Sequence, residues 1–449
     1  MYKPLLLLNG TIALALTLAA CSLAPNYQRP EMALPTGWSQ VEGVGATQQN
    51  TSLFWQDLGS VELDRLIDQV LAQNLDLEAA LQRIDQARAQ AKIASSPLYP
   101  NVSASGSASR TFQDSKDTNS AHIGGGVSYE VDLWGKNRDT AKSADYRLNA
   151  TEFDREALRL VVTADATNFY AQVLSLNDRI RIAESNLKNA EEILRIIEAR
   201  FAQGGVSGLE VSQQRVAVNG FRIALAALVE QRSTTANALA ILLGVAPQTF
   251  SMPSATLATL TLPPVNLTLP ATLLTARPDI ESAEAGLRAA NADIGVARAA
   301  FFPSLTLDLN TVISAGFGGP AAAATQIASS LIAPIFTGGQ LTGNLENVTA
   351  RQKELAAQYR KTVLTAFQEV EDALAALKSA NDRAAVSSAT VAESQNAYDI
   401  AKARFDAGAI DFLTLLDTQR TLYVAQDNQI SVNQDQLTSF VQLRKALGA

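Results

Sequence analysis

Two side chains would carry most of the nucleophilic, redox and metal chemistry open to this sequence of 449 residues: the single cysteine, Cys21, and the single histidine, His122. Zinc sites draw on several Cys and His ligands, and Cys–His or Ser–His–Asp catalysis needs a histidine beside its nucleophile. One residue of each type removes most such sites, so a zinc or redox enzyme is close to excluded. His122 lies in a Ser/Asn/Gly-rich stretch and reads as a solvated loop residue. The glycine runs Gly124-Gly125-Gly126 and Gly316-Phe317-Gly318-Gly319 lack the Lys-Ser/Thr of a phosphate loop, so they are not nucleotide sites. Lys plus Arg is 36 against 44 Asp plus Glu, a net charge of −8 with no basic patch to meet phosphates, which removes nucleic-acid binders. No catalytic residue, metal site or bound cofactor is expected.

Cys21 itself has a specific context. Lys3 precedes an apolar core, Leu5–Leu8 and Thr11–Leu18, that is too short to span a bilayer and fits an export signal over residues 1–20. The run Leu18-Ala19-Ala20-Cys21 resembles the lipobox of bacterial lipoproteins. That resemblance implies cleavage before Cys21 and acylation of its sulfur and new amine, the several chains that stable anchoring needs. Ser22 rather than Asp follows, which by resemblance to lipoprotein sorting favours the outer membrane. Residues 21–60, punctuated by Pro25, Pro30 and Pro35, read as an extended arm.

The elements behind these residues are written twice. Leu75-Asp76-Leu77-Glu78 matches Pro278-Asp279-Ile280-Glu281, Asn177-Asp178-Arg179 matches Asn381-Asp382-Arg383, and Ala199-Arg200-Phe201 matches Ala403-Arg404-Phe405. Gly204 matches Gly408 and Leu243-Gly244 matches Leu447-Gly448, always at an offset of 203 or 204. Two repeats follow, residues 61–245 and 270–449, joined by a proline-rich linker over 246–269. A helix is predicted over Ala79–Ser95, and its counterpart over Asp279–Ala300. Next comes one β-hairpin per repeat, about 99–134 and 302–337, with loops at Gln113–Ala121 and Ser314–Pro320. Proline-free, glycine-free helices are predicted over 137–203 and 345–407, the first about 100 Å long at 1.5 Å per residue. Return helices follow over 209–243 and 412–447.

The strand stretches alternate. Leu305, Leu307 and Leu309 interleave with Thr306, Asp308 and Asn310, while Val127, Tyr129 and Val131 interleave with Ser128, Glu130 and Asp132. One apolar and one polar face, with no long apolar run, is the weak signature of a transmembrane β-barrel and fits a soluble β-subdomain with one wet face equally well. The acyl anchor and the helices of about 100 Å favour the membrane. Four strands cannot close a barrel, since about eight is the minimum, so several copies must share one. The class is mainly α with membrane β.

The whole mature chain resembles the outer-membrane factors of the TolC/OprM type, in their lipoprotein (NodT-like) branch. The resemblance is carried by Cys21-Ser22-Leu23-Ala24-Pro25-Asn26-Tyr27, Ala403-Arg404-Phe405-Asp406-Ala407-Gly408 and Asp411-Phe412-Leu413-Thr414-Leu415-Leu416-Asp417-Thr418-Gln419-Arg420. It implies a homotrimer with a shared twelve-stranded outer-membrane barrel and a long periplasmic α-helical barrel. It also implies a passive exit duct for drugs, metals or other small solutes, served by a periplasmic adaptor and an inner-membrane transporter of the RND type. The same resemblance implies gate roles for Asp417, Thr414, Arg404 and Arg200 at the periplasmic end. Thr414 stands where some relatives carry a second aspartate. Adaptor contacts are implied at Gly204, Gly205 and Gly208 and at Gly408 and Asp411. The alternatives are a type I protein-secretion duct, or a lipid-anchored adaptor or structural coiled coil. The two-fold repeat with paired hairpins separates the chain from the adaptors.

Overall fold

The computed structural model describes residues 22–39, 53–112, 118–264, 267, 269–316 and 320–449. Besides a single turn at Leu273–Ala276, the helices are α1 (Val61–Gln73), α2 (Leu75–Ser95), α3 (Lys136–Ala202), α4 (Gly208–Leu242), α5 (Pro278–Ala299), α6 (Gln340–Asp406) and α7 (Phe412–Ala446). The strands are β1 (Asn101–Thr111), β2 (Thr118–Val131), β3 (Ser304–Gly316) and β4 (Ala322–Ile332). Chain packing forms two compact units, one from Met1–Met32, Leu81–Asp154 and Asp279–Thr362, the other from Ala33–Ala80, Arg155–Pro278 and Val363–Ala449. Among the described residues no helix is long and apolar enough to cross a membrane.

The first unit holds a single antiparallel sheet of order β1-β2-β3-β4. Its register writes the two faces in rows, because directly paired residues share a face. One row is Val102–Val127–Leu309–Ile327, and the next on that face are Tyr129–Leu307–Ser329 and Val131–Leu305–Leu331. The opposite face carries Asn101–Ser128–Asp308–Ala328, Glu130–Thr306–Ser330 and Ser103–Gly126–Asn310–Gln326. The apolar face is bare, with Ile327 83% exposed. Among the described residues, both outer strands, β1 and β4, have a free edge.

Two expected loops are shorter than predicted. β2 begins at Thr118, inside the expected 113–121 loop, and β3 continues to Gly316. His122 therefore lies in β2, paired to Ser107 and Ser314, and not in a loop. Small polar residues look like loop, but pairing on both sides satisfies their backbone groups and makes strand. The glycine run Gly124–Gly126 lies well inside β2 for a packing reason. A Cβ on Gly126 would stand 2.5 Å from Asn310 Oδ1, and one on Gly124 would stand 3.1 Å from the Thr311 carbonyl.

The long helices span 67 residues each and the return helices 35 each. The second long helix starts at Gln340, earlier than the predicted 345. Gly338 and Gly339, at φ 59° and 90°, turn the chain, and the helix then runs through Gly343. One interior glycine costs only about 1 kcal/mol, too little to stop a helix of this length. The second unit's main core gathers Phe54, Leu58, Leu63, Ile67 and Val70 with Tyr170, Leu174, Leu239, Leu243, Phe440 and Val441. The proline-rich joint is tied to this unit: Asn177 Nδ2 donates to the carbonyls of Pro253 at 2.9 Å and Ala255 at 3.1 Å, and Leu257 is buried in the core.

Candidate functional site

The far ends of the two helix hairpins share one apolar cluster: Ile193, Ile197 and Val211 from α3 and α4, with Tyr398, Phe405, Phe412, Leu415 and Leu416 from α6 and α7. Both hairpins turn in the same way. The Gly204 and Gly205 amides donate back to the carbonyls of Phe201 and Arg200, and Gly408 and Ala409 donate to those of Phe405 and Arg404. Gly204 at φ 75° and Gly408 at φ 73° supply the left-handed residue this closure needs.

Gly208, one of the implied adaptor contacts, is the first residue of α4 and has no positive φ. Its helix starts with a capping arrangement in which the Glu210 carboxylate accepts the Ser207 amide. Gly205 lies in the turn without a positive φ. Asp411 caps α7: its Oδ1 accepts the Thr414 amide at 2.8 Å and the Thr414 hydroxyl at 2.7 Å. Those two bonds hold its carboxyl below the usual range. Thr414 is thus part of the cap. Asp417 is exposed one turn further along the same helix.

The repeat-related arginines differ. The Arg200 guanidinium lies 4.6 Å from the centre of the Phe405 ring and donates to the carbonyls of Phe405 and Asp406, both at 3.4 Å. It joins the two hairpins. Arg404 is exposed and its side chain makes no hydrogen bond or ion pair among the described residues. A stronger link lies higher up and was not singled out from sequence: Arg179 on α3 meets Asp427 on α7 with two bonds of 2.7 and 3.0 Å. Nearby, Asn186 Nδ2 donates to Gln426 Oε1 at 3.2 Å. The one hint was the Asn-Asp-Arg triplet common to both repeats, whose second copy instead pairs Arg383 with Asp435 at 3.0 Å.

At the strand ends nearest the helices, Trp134 stacks on Phe302 with centroids 4.6 Å apart and donates Nε1 to the Pro303 carbonyl at 2.8 Å. Tyr99 and Phe336 are exposed at the same junction. Aromatic side chains flanking an apolar strand face mark a membrane interface. The arm residues 22–29 lie along α5, through Tyr27 and Arg29 to Glu284 at 3.1 and 2.6 Å. Cys21 lies outside the described residues.

The family described as "Outer membrane efflux protein" matches residues 66–245 and again residues 269–449. The chain belongs to this family. It is 37% identical to the pyoverdine export outer membrane protein OpmQ of Pseudomonas aeruginosa, over 97% of this chain and 95% of that one. It is 34% identical to the toluene efflux pump outer membrane protein TtgC of Pseudomonas putida, over 100% and 96%. To the cation efflux system protein CusC of Escherichia coli it is 30% identical, over 99% of both. Its fold is that of the CmeC outer membrane channel of Campylobacter jejuni, with a TM-score of 0.88, 27% identity, and 95% of both chains covered. Members of this family are channel proteins. This one is an outer-membrane efflux channel, a passive exit duct that extends into the periplasm.

Proposed function

We propose that three copies of this chain form the exit duct of a tripartite pump. Four strands from each of three copies make a closed barrel of twelve. The observation that carries this reading is the sheet with one apolar face, one polar face and two free edges. In a bilayer such edges must be paired, and among the described residues of one chain they are not. The polar face then lines the lumen. The helices continue the tube, and the hairpin ends at Gly204–Gly208 and Gly408–Asp411 receive a periplasmic adaptor that joins the duct to an inner-membrane transporter of the RND type.

Cys21 carries the acyl chains that hold the arm at the membrane, and the duct itself catalyses nothing. Its solutes are small molecules of the kinds named for its relatives, with identity greater to the pyoverdine and toluene channels than to the cation channel. The test is native mass spectrometry and planar-bilayer recording of the purified protein. Three copies per particle with defined ion conductance are expected. A stable monomer without conductance would end the reading.

A further inference from the structure

The arm is read residue by residue along one stripe of α5. Glu284, Arg288, Asn291, Gly295 and Arg298 follow one another at helical spacing of three and four. Glu284 takes Arg29 and Tyr27, and Arg288 lies over the Tyr27 ring at 5.3 Å. Asn291 Nδ2 donates to the Pro25 carbonyl at 2.7 Å, and Arg298 donates to the Leu23 carbonyl at 3.1 Å. At Gly295 the arm comes so close that a Cβ would stand 2.8 Å from both the Cβ and the amide nitrogen of Ala24. The arm therefore runs antiparallel to α5, and its first described residue is Ser22.

Ser22 ends on a carboxylate from another element. Its hydroxyl lies 2.8 Å from each oxygen of Asp139, in the first turn of α3, and accepts the Ala24 amide at 3.1 Å. Asp139 is 2% exposed, and Ser22 is the side-chain donor to it among the described residues. The α3 amino end favours a negative charge there. Burial pushes the Asp139 carboxyl up, against the bond from Ser22 and the charge of Lys142. A carboxylate this enclosed needs its donor, because a buried acceptor left unmet costs more than the bond itself contributes. Nothing in the duct's wall or tip uses this pair.

We propose that Asp139 is the seat that reads residue 22, accepting a hydroxyl there and refusing a carboxylate, so that the lipid-bearing end leaves the folded chain at one fixed place. The last clause rests on the reading that Cys21 carries the lipid. Ser22 is exposed on its outer side, but an Asp there would set a second carboxylate within hydrogen-bond distance of the buried Asp139, where like charges disfavour each other. The arm would lift at that end. Residue 22 thus meets two requirements at once, one from lipoprotein sorting and one from the folded protein. Gly295 is part of the seat, since a Cβ on it would collide with Asp139 Oδ2.

The test is hydrogen exchange at the amides of residues 23–29 in full-length protein extracted from total membranes, with labelled palmitate followed in parallel. Ser22→Asp should exchange roughly tenfold or more faster, the scale of one lost bond to a charged group. The double variant Ser22→Asp with Asp139→Asn should return to within about threefold of wild type, because an amide can donate to the new carboxylate. A merely structural loss at residue 22 would not be rescued by a change at residue 139. Wild-type exchange in Ser22→Asp, or no rescue in the double variant, overturns the seat. Absence of palmitate from the wild type overturns the lipid clause alone, since the exchange result does not depend on it.

Discussion

Asp417 is exposed on α7, a turn beyond the Asp411–Thr414 cap. In the proposed trimer three such carboxylates approach one axis, where charged rings select cations. Asp417→Ala should raise single-channel conductance in planar bilayers and weaken block by multivalent cations, with thermal stability unchanged. The difference should fade at 1 M salt, where the Debye length is about 3 Å. Unchanged conductance and block would place the constriction elsewhere. Arg179 and Asp427 act differently, because each is about one-quarter exposed and they tie one hairpin to the other. Arg179→Ala should lower stability by about 1–3 kcal/mol and increase spontaneous opening, read as a lower Tm and a higher open probability. If neither moved, the pair would not latch the hairpins. Glu284 supplies a pH test. Burial alone would raise its carboxyl, but the bonds and charges of Arg29 and Arg288 outweigh that and hold it below the usual range. A depressed acid contributes stability above its unfolded value and loses it as pH falls through the lower folded one. Arm protection in hydrogen exchange should therefore hold from pH 8 to pH 5 and fall only below about 4, near and under the unfolded value. Arm release near pH 6 would contradict this.

At the scale of the element, the sheet makes the sharpest claim. Leu307 is paired with Tyr129 and Ser329 on the apolar face, and Asp308 with Ser128 and Ala328 on the other. Leu307→Arg should cost about 2–4 kcal/mol near the bilayer midplane and deplete folded protein from outer membranes. Asp308→Asn should leave its amount unchanged, and the reverse pattern would mean the faces are exchanged. The alternation behind this was visible in sequence because strand side chains have period two and need no knowledge of the partner. The length of the long helices was equally visible, since it depends on the absence of Pro and tolerates one Gly. The glycine run in β2 was not readable in this way, because its cause is Asn310 and Thr311 on the neighbouring strand.

At the scale of the molecule, the proposed anchor at Cys21 and the proposed barrel would be independent ways of holding the chain at the outer membrane. Labelled palmitate should enter wild-type protein and not Cys21→Ser, and equal labelling of both would remove the lipid. The repeat explains why the hairpin turns have the same closure, with Gly204 and Gly408 related by sequence and by geometry. It does not make the two copies equivalent. Arg200 crosses to the other hairpin while Arg404 stays exposed, and Arg179 crosses while Arg383 pairs within its own hairpin through Asp435.

What the sequence determined by itself was everything set by local periodicity and by single-residue stereochemistry. That includes the two-fold repeat with its matched glycines, the alternating strands and the long helices. Each of these is dictated within a few residues, by side-chain period, by missing amide donors or by positive φ. Tertiary structure decided which groups meet. Arg179 finds Asp427 across 248 residues, Arg29 finds Glu284 across 255, and Ser22 finds Asp139 across 117. No local pattern announces such pairs, because a surface-looking charge becomes a latch or a seat only when a distant element buries it.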